Sequence, residues 1–579
     1  MASSHFEDMA EVGADKVHVH ARTLVVVAAM NSLVIAQMFS VLGSGILARA
    51  IVGLLGEPTL AVWPSTILTI GAAALNPTLS QGADYWGRRW ILVVTTGSGL
   101  VGAIMISRAQ NIATVFAGFS FMSVMFGGQA ASFAVVSEIL PRKYRAIGQA
   151  SLNVSQGVAG MAGVLFCGAL LQNGGSEGYR IYFYVVAGLF AVATASIAFF
   201  YDPPPRELQK SLTHLDKLKS LDLVGMGTFT AGAILFSVGL VWANSPYPWT
   251  NARILGTFII GSLLLLAFLG YEWLVKKDGI AHHGLFKDKN YIVALTTAFQ
   301  EGLAVFTLNY FLTMEGIALF GLGVFQASTR YAMVYVYAII LSFASAWYMT
   351  RFKALKGPML VSQVLLLIMF ILMATVTPGT PAAVLWGYPL LGGLALGAVT
   401  TAIFVTAQLS ITGELIAVGT ALVAAARALG GMIGLVVNNA IFNAAAKSNI
   451  PTKIAEAVLP MGFDPSHLET LITGLMAENV EVVAAIPGIT PEIIGAAVGG
   501  LRSGYSIALR NVWIAAACFT VPGVIIACFL RNPIEAFNAH IDAPFEEELV
   551  KLQDEVEGRV EHGNPGTPTE KGVNVDISR

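Results

Sequence analysis

Ser80-Gln81-Gly82-Ala83-Asp84-Tyr85-Trp86-Gly87-Arg88-Arg89 ends one apolar run and opens the next. It places a carboxylate, two guanidiniums and a glycine where a chain leaving a bilayer must turn back. Gly87 permits a tight turn that a residue with a Cβ resists. Asp84 and the arginines have the right charges to pair with one another, with facing helix ends or with neighbouring carboxylates. A helix, a short basic turn and a second helix make a unit of a polytopic membrane protein, so the flanking sequence has to supply further spans.

Composition agrees. The 579 residues are 55% hydrophobic and 12% charged, against about 25% charged in a soluble domain, too few polar groups to cover a water-soluble globule. The net charge of −2 identifies no partner class, because the charges are segregated by loop. Cys167, Cys518 and Cys528 all lie in apolar segments, so neither a disulfide framework nor a metal cluster is expected. The adjacent His282 and His283 are too little for a metal site. The start of the chain is polar and acidic (Glu7, Asp8, Glu11, Asp15) rather than basic, so the first apolar run reads as a retained anchor.

A bilayer core of ~30 Å takes about 20 apolar residues per helix. Gaps between charges and turn residues give fourteen spans: 24–48, 60–80, 91–108, 112–137, 147–171, 180–201, 222–243, 253–275, 291–315, 326–349, 357–376, 382–408, 414–443 and 511–530. Between Lys356 and Glu414 no charge marks a boundary, and Pro378-Gly379-Thr380-Pro381 supplies the turn. Alternate loops carry Arg88/Arg89, Arg142/Lys143/Arg145, Arg206/Lys210/Lys217/Lys219, Lys276/Lys277/Lys287/Lys289 and Arg351/Lys353/Lys356. The intervening ones offer only Arg49, Arg108, Arg180, Arg253 and Arg330. Sixteen basic residues against five put the first set, and with an even helix count both termini, in the cytoplasm. Residues 444–510 then form an extracytoplasmic insertion with short amphipathic helices; Thr490-Pro491-Glu492 has the form of a helix start. In the tail, Phe545-Glu546-Glu547-Glu548-Leu549 reads as a short helix before a Gly/Pro/Thr-rich end expected to be disordered.

Glu301 and Arg427 stand alone inside apolar runs. A charge at mid-membrane costs from ~2.5 to more than 10 kcal/mol unless it reaches water or a partner, so both are expected to face a cavity or a counter-charge. A carboxylate in low-dielectric surroundings holds a proton more readily than in water, and a nearby cation or substrate displaces it. Glu301 therefore suits proton coupling, or else a permanent structural bond to another helix. Arg427 stays charged and needs an acceptor: an anionic substrate, Glu301, or a group that pins its helix to a neighbour.

A shift of 271 residues lays the fifth span on the thirteenth: Gly148 on Gly419, Ala150 on Ala421, Gly160-Met161 on Gly431-Met432, Gly163 on Gly434, and Gln156 on Arg427. Small residues at this spacing let helices approach closely. The match implies two related six-helix halves with an inserted pair, substrate held between the halves and a rocking motion. Gln156, and Asn153 about one turn earlier, would face the same central space.

The loop quoted first resembles the Gly-x-Leu-Ala-Asp-x-x-Gly-Arg-Arg/Lys loop of the major facilitator superfamily, with Ser80 and Gly82 replacing the first glycine and the leucine. Glu138-Ile139-Leu140-Pro141-Arg142-Lys143-Tyr144-Arg145, Leu221-Asp222-Leu223-Val224-Gly225, Pro246-Tyr247-Pro248-Trp249, Arg427-Ala428-Leu429-Gly430-Gly431 and Ile486-Pro487-Gly488-Ile489-Thr490-Pro491-Glu492 are similar to the fungal fourteen-helix branch, which holds trichothecene-type efflux pumps and siderophore-iron transporters. The fourth span lacks the arginine of drug:proton antiporters, and the fifth lacks their Gly-Pro pair.

The resemblance implies an all-α membrane protein of the major facilitator fold, two six-helix bundles plus two inserted helices. The divisions are 1–22 (cytosolic tail), 23–201 (first bundle), 202–290 (linker and inserted pair), 291–530 (second bundle with insertion 444–510) and 531–579 (cytosolic tail). It implies a plasma-membrane transporter and not an enzyme, a monomer with protons, a small molecule and lipid as partners, and no cofactor or nucleic acid. Proton-coupled efflux of small hydrophobic compounds such as a fungal metabolite or toxin is the leading expectation. Siderophore-iron uptake is the rival, and a sensor or scaffold without flux is the alternative of another class. No nucleotide-binding glycine loop is present for ATP-driven pumping. The coupling or substrate candidates are Glu301, Arg427, Gln156 and Asn153. The gating candidates are Asp84, Gly87, Arg88 and Arg89, the cytoplasmic latch of the superfamily, with Glu138, Arg142 and Arg145. Glu315 and Arg330 are expected at the interface; Tyr331, Tyr335 and Tyr337 suit either a pocket or an interface.

Overall fold

Backbone polar groups have no water partner in a bilayer core, so a spanning chain closes its own hydrogen bonds. The computed structural model does so with helices, and no strand occurs among the described residues. These are 20–56, 60, 63–173, 177–204, 213–242, 249–476 and 480–543. Arg206, Lys210, Pro246-Tyr247-Pro248, the start of the chain and the expected helix at 545–549 lie outside them.

The long helices, numbered here α1 to α14, are Ala21–Ile46, Trp63–Trp86, Arg88–Arg108, Ile112–Ile139, Arg145–Asn173, Gly178–Phe200, Leu223–Trp242, Ala252–Leu274, Lys289–Phe320, Val324–Phe352, Lys356–Ala374, Val384–Leu409, Ile416–Val458 and Pro491–Ala527. Thirteen helical segments are long and apolar enough to cross a membrane. The remaining one is α2, which carries Asn76, Ser80, Gln81 and Asp84. Asn76 pays its way by two hydrogen bonds: its amide donates to the Ala72 carbonyl (2.7 Å) and its oxygen accepts from Ala130 N–H (3.2 Å). Helix α4 tightens into a 3-10 turn at Val124–Gly128. A Cβ on Gly128 would run into the Thr95 side chain of α3, so the turn's glycines let three helices meet there.

The last two spans differ from the expectation. Helix α13 has 43 residues and α14 has 37; at ~1.5 Å per residue they are about 65 and 55 Å long, well beyond the hydrocarbon thickness. Much of the expected outer insertion is therefore helix, continuous with the spans. Gly500 and Gly504 of α14 lie against the backbone of Lys453, Ile454 and Ile450 of α13, which holds the protruding ends together. Short helices at Leu468–Met476 and Val480–Ala484 cap them through Phe463, Leu471, Val483 and Ile486. Thr490 caps α14 as its sequence suggests, accepting from Ile493 N–H (3.3 Å), with Pro491 in the first turn.

The two six-helix bundles meet along α5 with α10 and along α2 with α13. The same 271-residue shift that relates α5 to α13 moves most of α2 onto α10, so one twofold relates the two contacts. Helices α7 and α8 pack on each other through Phe229 and Phe268 (ring centroids 5.0 Å apart), and α7 packs on α2 through Thr230 and Thr78 (3.0 Å).

Candidate functional site

Glycine decides how Arg427 reaches Glu301. A Cβ on Gly302 of α9 would lie 2.9 Å from both the Arg427 carbonyl carbon and Gly431 N, closer still to the Arg427 carbonyl oxygen. A Cβ on Gly430 of α13 would meet the Phe299 backbone in the same way. The two backbones touch, and side chains from adjacent positions are forced together. The Arg427 guanidinium binds the Glu301 carboxylate through Nε and through Nη2 (3.0 Å to Oε1), and Thr400 Oγ1 of α12 donates to the same Oε1 (3.0 Å). The Glu301 side chain is fully buried, whereas that of Arg427 is 24% exposed. One end of the pair is sealed in protein and the other faces a cavity.

That cavity, of about 200 Å³, lies between the two bundles. Glu301, Arg427, Gln156 and Asn153 all line it. Gln156 and Arg427, equivalent in the repeat, thus face one space from opposite halves. Asn153 Nδ2 donates across the halves to Thr401 Oγ1 (2.7 Å), which also meets Ser342 Oγ (3.0 Å). The remaining wall is mostly apolar, with Phe126, Phe133, Phe306 and Phe404, and includes Gln37, Gln129, Asn309 and Tyr335. Tyr335 is bonded to Tyr331 (2.9 Å), which donates to Asn309. Tyr337 is not part of the wall; it packs at Gly393 of α12. At one end the lining reaches Ser65, in the first turn of α2. Toward the basic loops it ends where Phe133 and Phe404 bring their ring centroids to 4.6 Å.

One pair of the repeated glycines, Gly160 and Gly431, packs differently in the two copies. Gly157 and Gly160 of α5 lie against Ile339 and Tyr335 in the opposite bundle, whereas Gly163 lies against Leu42 and Tyr182 in its own. Gly431 and Gly434 of α13 lie against Phe306 and Leu303 of α9 in their own bundle. Gly431 thus helps to hold α13 on α9, where the ion pair forms, while its counterpart Gly160 sits at the contact between the bundles.

The gating candidates gather at the basic end. Gly87 has φ +94° between α2 and α3, a conformation that favours glycine. Arg88, 4% exposed, pairs with Asp84 (3.1 Å) and with Glu138 of α4. Arg89 diverges from it to the end of α6, meeting Asp202 (2.5 Å) and the Ala198 carbonyl (2.7 Å). Arg142 and Arg145 converge on Asp542, a residue that sequence reasoning left in the tail. The expectation for Glu315 is corrected: it is buried, not interfacial, and accepts from Trp513 Nε1 (2.8 Å). Arg330 is half-buried and stacks over Trp386 (5.7 Å). His282 accepts from Gly284 N–H (2.9 Å), and His283 Nε2 lies 3.0 Å from the Glu272 carbonyl.

Comparison with known proteins agrees with this architecture. The family model described as fungal trichothecene efflux pump (TRI12) matches residues 6–568. The trichothecene efflux pump TRI12 of Fusarium sporotrichioides is 24% identical over 480 residues, 81% of this chain and 79% of that protein. The MFS-type efflux pump MFS1 of Trichophyton rubrum is 24% identical over 442 residues, 76% of this chain and 78% of its own. Among solved structures, the human organic anion transporter MFSD10 (TETRAN) superposes with TM-score 0.54 at 12% identity, covering 88% of this chain and all of that one. The proton:xylose symporter XylE gives 0.50 at 12% identity over 86% and 95%. The structural likenesses show the major facilitator fold, and the family match is finer: this chain belongs to the fungal trichothecene efflux pump family, whose members are membrane transporters.

Proposed function

We propose that the chain is a monomeric plasma-membrane exporter that moves small hydrophobic, oxygen-bearing compounds outward in exchange for protons, with both termini in the cytoplasm. The observation that carries this reading is the Glu301–Arg427 pair, which presents its arginine to a cavity between two halves able to rock. A wall of phenylalanines accepts an apolar body, and a few amides and hydroxyls bond its oxygens. Proton entry acts on Glu301: protonation frees Arg427, and return of the arginine expels the proton. The basic loops, by the positive-inside bias, set the orientation. In this state the halves are closed at the basic end, where Asn153 reaches Thr401 and Phe133 reaches Phe404, and the cavity extends toward the opposite face.

Siderophore uptake receives less support. It needs Arg427 to hold an anionic ligand, and that charge already has a carboxylate partner. The named relatives are efflux pumps. Purified protein in liposomes, given a pH gradient and a labelled trichothecene, should accumulate the compound against the gradient and lose it with a protonophore. Equal movement with and without the gradient would leave only facilitated diffusion. Ligand binding without any flux would favour the sensor.

A further inference from the structure

Beyond α14 the chain turns along the basic end of the molecule. Asn532 Oδ1 accepts from Leu355 N–H and Lys356 N–H (2.9 Å each), and Arg531 exchanges two 3.0 Å hydrogen bonds with Asn290. These anchors all belong to the second half, and Phe537 is buried in the core. The strap then crosses to the first half. Lys143 N–H donates to the Asn538 carbonyl (2.9 Å), Arg142 N–H to the His540 carbonyl (3.0 Å), and Ala543 N–H to the Glu138 carbonyl (3.0 Å).

Asp542 lies at the end of this crossing with its side chain 4% exposed. Its carboxylate accepts from Arg142 Nη2 (2.7 Å) and Nε (3.2 Å) and pairs with Arg145. Arg145 in turn donates to the Ser137 carbonyl (2.9 Å) and, across the halves, to the Gln408 carbonyl of α12 (3.0 Å). A Cβ on Gly413 would sit 2.6 Å from Asp542 Oδ1, so the α12–α13 turn covers the carboxylate. One side chain is thus enclosed by its own strap, the α4–α5 loop and the α12–α13 turn.

We propose that Asp542 is a positioning residue of the transport cycle: it bolts the basic end shut in this state, and it must leave Arg142 and Arg145 before that end can open. The inference rests on the alternating-access reading above. A carboxylate shared by the buried Arg145 and the half-buried Arg142 is held firmly while the cluster is closed, and each group regains water once the halves part. Removing the carboxylate alone leaves two like charges facing each other without a counter-ion, which favours the separated, hydrated arrangement.

The test places spin labels on Lys143→Cys and Thr412→Cys, both exposed, with Cys518 and Cys528 changed to serine, and reads their distance distribution by pulsed EPR. Wild type should show a dominant short distance that lengthens with substrate and pH gradient. Asp542→Asn should move the ratio of short to long by about tenfold or more toward long, and Asp542→Glu should restore most of it. Should Asp542→Asn not fold, Arg142→Gln, which leaves Arg145 on the carboxylate, should give a smaller shift of the same sign. An unchanged distribution in the variants of a protein that itself cycles would overturn the inference alone, as would a lowered melting temperature with no change in distance. A wild-type distance that never responds would overturn both the inference and the alternating-access reading.

Discussion

The α9–α13 contact makes a prediction whose size follows from geometry. Gly302→Ala places a methyl 2.9 Å from the Arg427 carbonyl carbon and from Gly431 N, where ordinary contact begins near 3.4 Å. The helices must separate by at least half an ångström, and further for the nearer carbonyl oxygen. Backbone cannot rotate aside as a side chain can, so the cost of overpacking applies, about 1–3 kcal/mol. The displaced atoms belong to Arg427 itself and adjoin Glu301, so the bidentate pair and the Thr400 bond loosen together. The assay is paired: thermal melting in detergent micelles and gradient-driven flux in liposomes. Gly302→Ala should lower both. Gly97→Ala on α3, where a methyl meets nothing within 4 Å, should be neutral or slightly stabilising, since alanine favours helix by up to ~1 kcal/mol. Wild-type melting and flux in Gly302→Ala would mean that the helices are not in backbone contact, and the account of the ion pair would fail with it.

Three further outcomes are expected. Arg88→Ala strands a buried Glu138 and should cost about 3–5 kcal/mol. Arg89→Ala, whose partner Asp202 is 65% exposed, should cost ~1 kcal/mol or less. Melting and turnover of the two single variants separate these, and both should still bind substrate. Trp513→Phe removes the Nε1 donor to Glu315 and should destabilise by about 1–3 kcal/mol, read as a lower melting temperature. Burial and then the charges of Arg142 and Arg145 hold the His540 imidazole below its ordinary value, Asp542 at 3.8 Å notwithstanding. The undocked strap therefore binds the proton more readily than the docked one. Docking should weaken as pH falls below about 6.5 and level off once the docked histidine is protonated too. His540→Gln should flatten that pH dependence in the EPR distances; an unchanged dependence would remove His540 from it.

The apolar gaps were enough to place the helices along the chain, because the bilayer imposes length and hydrogen-bond closure on every span. The same logic misjudged the ends of α13 and α14. Asn443, Lys447 and Ser448 follow the apolar run and suggest its end, yet two antiparallel helices that support each other continue past polar residues. Glu301 and Arg427 were conspicuous, since an isolated charge in an apolar run demands a partner; that they choose each other depends on Gly302 and Gly430, which composition alone does not assign to facing helices. Asp542 left no such trace. An aspartate in a polar tail looks solvated, and its burial arises only when three segments distant in sequence converge. Glu315 was misplaced for a related reason: its position near the end of an apolar run suggested water, while Trp513 from α14 encloses it.

The proposed exchange requires Glu301 to carry the coupled proton. In liposomes with an imposed pH gradient, Glu301→Gln should abolish gradient-driven accumulation of substrate while leaving exchange of labelled for unlabelled compound at a measurable rate. Accumulation equal to that of wild type, at equal protein incorporation, would contradict it.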